Sequence, residues 1–442
     1  MKPVKSRMRS HLRLHHSTPS NPFPRDHLFG SPVRIGANTL MRSARSLDLW
    51  IMLWAVPVFA ASAAAPISNE GRAQRFREMS LEAEKNGLAS PFVGITTNGT
   101  VQPGLFPVRS TGVSTKPVRE AALAYLKTLG AEERKKTVFA VDDPEWRKWM
   151  NQDFYTRQGV AFRDMNEVQR TAAFDLLRAA LSAKGLKLSQ DIMHLNQTLG
   201  ELAGNDFERY SESLYWITLL GEPSKEEPWG WQIDGHHLVI NYFVLGDQVV
   251  MTPSFFGSEP VTAKSGKYHG TTILQDEQNQ GLRMIQALTE AQRSKATLSS
   301  SKTSNNNLTE AFKDNVVLDH AGIRAAEFSP AQKQQLADLI GLYVSNVNDG
   351  HARVKMEEVN QHLDHTSFAW IGGIAEDSVF YYRIQSPVIL IEFDHQRPVN
   401  LKHLSSNPSL PARDHIHVVV RTPNGNDYGK DLLRQHYQSH AH

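Results

Sequence analysis

The chain has 442 residues, of which 40% are hydrophobic and 21% are charged, and its formal net charge is +2 at pH 7. This composition is typical of a globular protein. The sequence contains no cysteine, which excludes stabilisation by disulfide bonds and catalysis by a cysteine nucleophile.

The N-terminal region predicts export. A short basic stretch begins at Met41, residues 49–60 form an apolar run too short to span a bilayer comfortably, and residues 61–63 (Ala-Ser-Ala) match a signal cleavage pattern. We therefore predict a signal peptide over residues 41–63 and a secreted or periplasmic protein. Residues 1–40 are basic and rich in His, Pro and Ser. Either translation begins at Met41, or these residues form a disordered leader.

Removal of residues 1–63 would change the charge of the chain. This segment holds nine of the 48 Lys and Arg residues and two of the 46 Asp and Glu residues, which leaves 39 basic and 44 acidic residues and a net charge of −5. A nucleic-acid partner therefore has no electrostatic support. No later stretch reaches 18 apolar residues, so we expect no membrane association after cleavage. The expected partner is a small-molecule substrate or ligand, and the oligomeric state stays open.

Residues 66–442 are expected to form one globular domain. Apolar periodicity predicts helices over residues 66–88 and 117–128, and Pro144 begins another helical turn. A polar-faced helix is expected over residues 273–296, and residues 298–307 have the low complexity of an exposed linker.

Two segments, at about 165–260 and 328–395, follow one plan. Each begins with an amphipathic helix, the first closed by Gly185 and the second capped by Ser329. Each continues with an aromatic-led strand and a second strand, and the second strands align without gaps when Trp231 is set against Tyr382. We interpret this as an internal duplication; the alternative is chance similarity between two α+β segments. The predicted fold is α+β, a mixed or antiparallel sheet built from two related halves with helices packed on it.

Four blocks of sequence carry a family resemblance. They are residues 229–238 (WGWQIDGHHL), 252–260 (TPSFFGSEP), 382–394 (YRIQSPVILIEFD) and 414–437, which contains DHIH and NDYG. Together they resemble the uncharacterised family catalogued as domain of unknown function 3500, over most of residues 75–437. The resemblance implies an extracytoplasmic protein and supplies no activity.

Two histidine pairs mark the candidate site. His415 and His417 are separated by one residue, so on a strand both imidazoles share a face about 7 Å apart, a common arrangement of metal ligands. His236 and His237 are adjacent and would point to opposite faces of a strand unless Gly235 allows a bulge. One of this pair is expected to be functional and the other hydrogen-bonded and structural. Structural or surface histidines are the alternative for both pairs.

Charged residues accompany the histidines. Glu392 interrupts an apolar strand and, if buried, needs a partner such as a histidine, an arginine or a metal. Arg383 lies nine residues earlier, and this odd offset places it on the opposite face of a regular strand. Arg421 lies four residues after His417 and shares its face, where it would hold an anionic ligand or pair with Glu392. Structural ion pairing is the alternative for both Glu392 and Arg421.

Aromatic residues complete the predicted site. Trp231, Tyr382 and Tyr428 are candidate ligand contacts, together with Arg383. Tyr428 follows an Asn-Gly turn that would bring it back over the strand that begins at His415. No phosphate-binding loop, dinucleotide fingerprint, Gly-x-Ser-x-Gly elbow or His-Glu-x-x-His motif is present, so no nucleotide cofactor is expected.

The leading hypothesis is an exported metal-dependent enzyme, with hydrolysis as the default reaction. His415, His417 and either His236 or His237 would bind a divalent metal whose identity the sequence does not give. Glu392 would be a ligand or general base, His237 a further catalytic candidate, and Arg421 would position the substrate. The alternatives are a non-catalytic binding protein that uses the aromatic and histidine pocket for a small molecule or sugar, and a metal-free acid–base enzyme.

Overall fold

The computed structural model describes residues 69–440 of the chain. The leader and the predicted signal peptide lie outside these residues, so both stay predictions. Within the described part, no helix combines the length and the apolar character that crossing a bilayer requires.

Residues 69–440 contain ten α-helices, and most of them are short and amphipathic. They are α1 (Asn69–Gly87), α2 (Lys116–Thr128), α3 (Ala131–Thr137), α4 (Glu167–Ala180), α5 (Ala183–Leu202), α6 (Gln275–Gln286), α7 (Glu290–Ala296), α8 (Pro330–Val344), α9 (Asp349–Gln361) and α10 (Lys430–Ser439).

Side-chain caps decide where several helices begin. Ser182 caps α5 by accepting a hydrogen bond from the N–H of Gly185. The expectation that Gly185 closes the first amphipathic helix is therefore wrong, because α4 ends at Ala180 and Gly185 lies in the first turn of α5. The single helix expected over residues 273–296 is likewise two helices, since Thr289 caps α7 and the chain breaks before it.

Thirteen strands lie between the helices. They are β1 (Val138–Phe139), β2 (Val160–Ala161), β3 (Tyr215–Leu220), β4 (Trp229–Gly235), β5 (Leu238–Leu245), β6 (Gln248–Val250), β7 (Ser254–Ser258), β8 (Thr297–Ser299), β9 (Ile323–Arg324), β10 (Ser367–Gly372), β11 (Phe380–Gln385), β12 (Leu390–His395) and β13 (Ile416–Arg421).

All thirteen strands belong to one mixed sheet, which confirms the α+β prediction. The strand order is β1-β3-β4-β5-β7-β13-β12-β11-β10-β8, with β2, β6 and β9 paired to β3, β5 and β10. The pairings β1–β3 and β8–β10 are parallel and the others are antiparallel. The two runs expected as single second strands are instead the hairpins β4–β5 and β11–β12.

Two segments of the chain have the same order of helices and strands, and their strands lie on either side of the central pair β7–β13. The first segment contains α2, α3, β1, β2, α4 and α5, continues with β3, β4 and β5, and ends at β7. The second contains α6, α7, β8, β9, α8 and α9, continues with β10, β11 and β12, and ends at β13. A shift of 151 residues superposes the two hairpins. The stacked pair Trp231–Tyr242, with ring centroids 5.3 Å apart, then matches Tyr382–Phe393 at 5.1 Å.

The two faces of the sheet are buried differently. Helices α2, α4, α5, α6, α8 and α9 cover one face, where Trp231, Tyr382 and Val418 belong to one continuous core. Loops and α10 cover the other face, where Phe255 and Val419 pack against a second core. Burying an aromatic ring contributes roughly 4–6 kcal/mol at about 25 cal/mol per Å². The loop-covered face carries the candidate site.

Candidate metal centre

His236 and His237 form the two-residue turn of the β4–β5 hairpin, where Gly235 pairs with Leu238. The expectation that the two imidazoles point to opposite faces is therefore wrong. Their rings stack with centroids 4.0 Å apart. His237 has a φ of 64°, a left-handed conformation that costs a side-chain-bearing residue roughly 1–2 kcal/mol.

Main-chain hydrogen bonds hold His237 in this conformation. Its N–H donates to the carbonyl of Asn151 at 3.0 Å, and its carbonyl accepts from the N–H of Gly257 at 2.9 Å. Strand β7 passes close to the ring at Gly257. A β-carbon there would lie 2.5 Å from the carbonyl oxygen of Ile416 and 3.2 Å from Cδ2 of His237. Glycine at this position leaves room for the imidazole.

The second histidine pair lies at the beginning of β13. His415 directly precedes the strand, His417 lies within it, and Ile416 between them is buried in the helix-side core. The predicted i, i+2 geometry is therefore present. Strand β7 pairs with β13 so that His417 lies opposite Gly257, which brings the β4–β5 turn to the same place.

Three imidazoles converge there. The Nε2 atom of His237 lies 3.1 Å from that of His417 and 3.3 Å from that of His415, and the Nε2 atoms of His415 and His417 are 3.0 Å apart. All three residues are buried, and the group is able to hold a metal ion. Ligand nitrogens in a tetrahedral zinc site with bonds of 2.0–2.1 Å are separated by about 3.3 Å.

The outer ring nitrogens of the second pair have acceptors as partners. Nδ1 of His415 lies 2.7 Å from the carbonyl oxygen of Arg397, and Nδ1 of His417 lies 2.7 Å from Oε1 of Glu310. Each Nδ1 therefore carries a hydrogen, which leaves Nε2 of a neutral ring as a lone pair directed at the centre. Nitrogens this close repel each other unless a proton or a metal ion lies between them.

Burial sets the charge of these rings. It lowers the pKa values of His237 and His415 well below the usual 6.5, and the neighbouring imidazoles lower them further. It also lowers the pKa of His236 to about 4. Burial by itself would raise the pKa of Glu310, but the facing His417 and its hydrogen bond bring that pKa below its usual value. His237 and His415 are thus neutral rings at pH 7, near an ionised carboxylate of Glu310.

Glu310 is the functional candidate that the sequence analysis missed. It lies just beyond the Ser- and Asn-rich segment expected to be an exposed linker. The structure anchors that segment to the sheet, because the buried Lys302 pairs with Asp394 at 2.8 Å. Residues 301 and 303–305 are exposed as expected. Nothing in the local sequence distinguishes Glu310, since its role depends on how this loop crosses β13.

Glu392 does not reach the three imidazoles. Its buried carboxylate accepts hydrogen bonds from the N–H groups of Leu308 and Thr309 at 2.9 Å, from the Thr309 hydroxyl, and from the Tyr381 hydroxyl at 2.7 Å. These bonds fix the loop that carries Glu310. The group able to hold a metal ion does not include Glu392, and its role as general base stays a prediction.

The face assigned to Arg383 from its offset is wrong. Because β11 and β12 form a hairpin, Arg383 lies directly opposite Glu392, and cross-strand partners share a face. Its guanidinium donates to the carbonyl of Asp319 at 3.2 Å. This contact is with the protein itself and lies apart from the histidine group.

Arg421 is fully buried and bonded within the protein. It pairs with Asp314 at 2.8 Å and with Asp427 at 3.2 Å, and it donates to the carbonyls of Thr309 and Glu310. The predicted sharing of a face with His417 is present. The role of positioning an anionic substrate finds no support, because every donor that it uses is directed at the loop or at these two carboxylates.

The remaining candidates lie outside the centre. His236 bonds through Nδ1 to Asn196 of α5 at 2.8 Å, which fits the structural member of the pair. Trp231 and Tyr382 are fully buried in the helix-side core. Tyr428, also buried, donates to Asp314 at 2.9 Å and accepts from Trp149 at 2.9 Å. All three aromatic side chains are packed inside the two cores.

A cleft of about 430 Å³ reaches His415 from the surface. Its wall includes His415 and Glu259 and, nearer the rim, Lys264 and Asp414. Glu259 accepts hydrogen bonds from three consecutive main-chain N–H groups at residues 399–401. Its carboxylate therefore shapes the cleft wall behind His415.

Fold and site together define an α+β protein with two topologically repeated halves and a buried three-histidine group between them. A family model described as a protein of unknown function (DUF3500) matches residues 111–430. The chain therefore belongs to the DUF3500 family, as its sequence resemblance predicted. Comparison with curated proteins and with solved structures finds no match.

Proposed function

We propose that His237, His415 and His417 bind a divalent metal ion and that the protein is a metal-dependent hydrolase. The observation that carries this proposal is the approach of three Nε2 atoms within 3.0–3.3 Å while two of the rings donate Nδ1–H outward. Three neutral nitrogen ligands with an outer carboxylate partner favour zinc. The carboxylate on His417 would hold that ring in the ligand tautomer and raise its basicity.

Three protein ligands leave a fourth position for water or substrate, as in catalytic zinc sites. A zinc ion bound there would act as a Lewis acid and lower the pKa of a water molecule towards 7. The cleft beside His415 gives a route for a substrate of small size. Glu259, which lines the cleft with His415, and Glu392 are the carboxylates on which a general base would be sought, and both accept hydrogen bonds from main-chain N–H groups.

Metal analysis of protein purified without a histidine tag tests the metal site. We expect one zinc per chain by mass spectrometry, and we expect His415→Ala to lose it. The matched control is His365→Ala, at an exposed histidine of the same chain. Absence of stoichiometric metal in the wild-type protein, after purification in zinc-containing buffer, would remove the proposal.

The hydrolase assignment needs a separate test. Ester, phosphoester and glycoside substrates should reveal turnover that a chelator abolishes and added zinc restores. Zinc binding without turnover of any of these classes would favour a structural metal or a binding protein. The buried positions of Trp231 and Tyr382 leave the aromatic binding pocket of that alternative without support.

We further propose that the protein is exported after cleavage at residue 63. The support is the basic, apolar and Ala-Ser-Ala pattern of residues 41–63. N-terminal sequencing of protein recovered outside the cytoplasm should begin at Ala64. Recovery of an uncleaved chain from the cytoplasm alone would contradict export.

A further inference from the structure

A second hollow lies on the other side of the β7–β13 centre. It has a volume of about 80 Å³ and lies between the sheet and helices α8 and α9. Its wall is mostly apolar and includes Met251, Val344, Val347, Ile389 and Val420. An engineered apolar cavity of about 150 Å³ binds benzene, so this hollow has room for roughly three methylene groups.

One polar group in the wall has no partner. His351 of α9 is 7% exposed, and its imidazole forms no hydrogen bond, ion pair or ring contact with any residue in the described range 69–440. Burial lowers the pKa of His351 to about 4, so the ring is neutral. Its ring nitrogens keep some accessible surface in the wall of the hollow and are free to hydrogen-bond a ligand there.

The hollow continues into a more polar cleft of about 270 Å³. The two spaces share Val249, His351, Lys355 and Glu358. Lys355 pairs with Glu358 at 2.7 Å, so these two charges offset each other. Arg109 also lines the cleft, and its exposed guanidinium makes no ion pair or hydrogen bond within residues 69–440. Among the residues that line the cleft, Arg109 is therefore a cation without an ion-pair partner in the described range, while the carboxylate of Asp247 lies behind Thr111 in the wall.

The repeated topology relates the hollow to the histidine centre. The shift of 151 residues puts Val388 at the position of His237. In the same repeat, β7 of the first half takes the place of β13 of the second. Ile389, next to Val388, and Ser254 and Phe256 of β7 line the hollow, and Lys355 donates to the carbonyl of Val388 at 2.8 Å. The hollow is thus the counterpart of the histidine centre, built from apolar residues.

We propose that the hollow and its cleft bind a small monocarboxylate with a short aliphatic tail. The tail occupies the apolar wall, the imidazole of His351 hydrogen-bonds the carboxylate or a water beside it, and Arg109 offsets its charge. This site shares no lining residue with the three-histidine group. The proposal is therefore independent of the metal.

Calorimetric titration with acetate, butyrate, hexanoate and decanoate, on zinc-loaded and on chelator-treated protein, tests the proposal. Affinity should rise about fourfold per methylene until the hollow is full, with the same values with and without zinc. Hexanol should bind at least about tenfold more weakly than hexanoate. The proposal is overturned if every carboxylate binds with a Kd above about 10 mM, or if hexanol binds as tightly as hexanoate.

Two variants separate a binding role from a structural one. His351→Phe keeps the ring volume and removes the unpartnered nitrogens, so binding should weaken at least about tenfold while the melting temperature is unchanged or higher. Val249→Phe should fill the hollow and abolish binding, whereas Val168→Phe, at an exposed valine of α4, should not. Unchanged hexanoate affinity in both cavity variants would place the ligand elsewhere.

Discussion

Removing the carboxylate of Glu310 should weaken metal binding without unfolding the protein. Glu310 lies 2.7 Å from Nδ1 of His417, and its side chain is 28% exposed. A hydrogen bond to a charged group contributes roughly 1.5–3 kcal/mol. Partial exposure places this bond in the lower part of that range, at about 1.5–2 kcal/mol. This energy corresponds to a loss of about 10- to 30-fold in zinc affinity, within the range known for outer partners of metal-bound histidines.

The assay is competition for zinc with a chromophoric chelator at neutral pH. We expect Glu310→Ala to show the full loss. Glu310→Gln should show a smaller loss, because the amide oxygen still accepts from Nδ1 but carries no charge. Glu208→Ala, at an exposed glutamate that pairs with Arg163, is the control and should leave affinity unchanged. An affinity within twofold of wild type in Glu310→Ala would refute the reasoning.

Three further predictions follow from the same structure. Gly257→Ala should lose zinc, measured as metal content of the folded protein, because its β-carbon crowds His237, whereas Gly341→Ala in open space should retain it. Arg421→Leu should lower the free energy of unfolding by about 3–5 kcal/mol, since the buried Asp427 loses its ion-pair partner and the buried Asp314 keeps only Arg147; an altered KM without a loss of stability would instead restore the substrate role. In chelator-treated protein, burial holds the pKa of His395 well below 6.5, so this residue takes up a proton in the unfolded chain but not in the folded chain as the pH falls, and it contributes a loss of roughly 1 kcal/mol of stability between pH 6.5 and 5.5. Because buried carboxyls with raised pKa values, such as Glu145 at about 7, act in the opposite direction, the test is the difference between wild type and His395→Gln in urea unfolding at the two pH values. The variant should lose roughly 1 kcal/mol less than wild type, and an identical pH dependence would contradict the assignment.

Local periodicity predicted the part of the site that depends on one strand. The i, i+2 spacing of His415 and His417 fixes both side chains on one face, whatever the rest of the sheet does. The alignment of Trp231 with Tyr382 also identified the two hairpins as equivalent, because buried aromatic positions repeat with the topology.

The same method failed where the chain reverses direction. His236 and His237 were treated as strand residues, but they form a turn, and a turn removes the alternation of faces. Arg383 and Glu392 were assigned to opposite faces by counting along the chain. They lie opposite each other across a hairpin, where the register and not the offset decides the face.

Residues contributed by distant loops were not predictable. Glu310 reaches His417 only because Glu392 and Arg421 fix residues 308–310 over the sheet. Both anchors were noticed as unusual buried charges and were given chemical roles. Their actual partners are main-chain groups of a segment that looks like a linker, and no spacing rule connects a sheet carboxylate with such a segment.

The repeated topology explains why the histidine centre occurs once. Its ligands come from both halves, with His237 from the first hairpin and His415 and His417 from the last strand. The opposite combination, the β11–β12 turn with β7, carries Val388 at the position of His237 and no histidine in Ser254–Ser258. Neutral imidazoles with facing lone pairs are unfavourable without a cation, so a partial histidine set would destabilise the core, whereas valines pack without a partner. One complete centre and one apolar hollow are two arrangements that avoid a partial set of buried imidazoles, and the proposed carboxylate would hydrogen-bond His351 in the hollow.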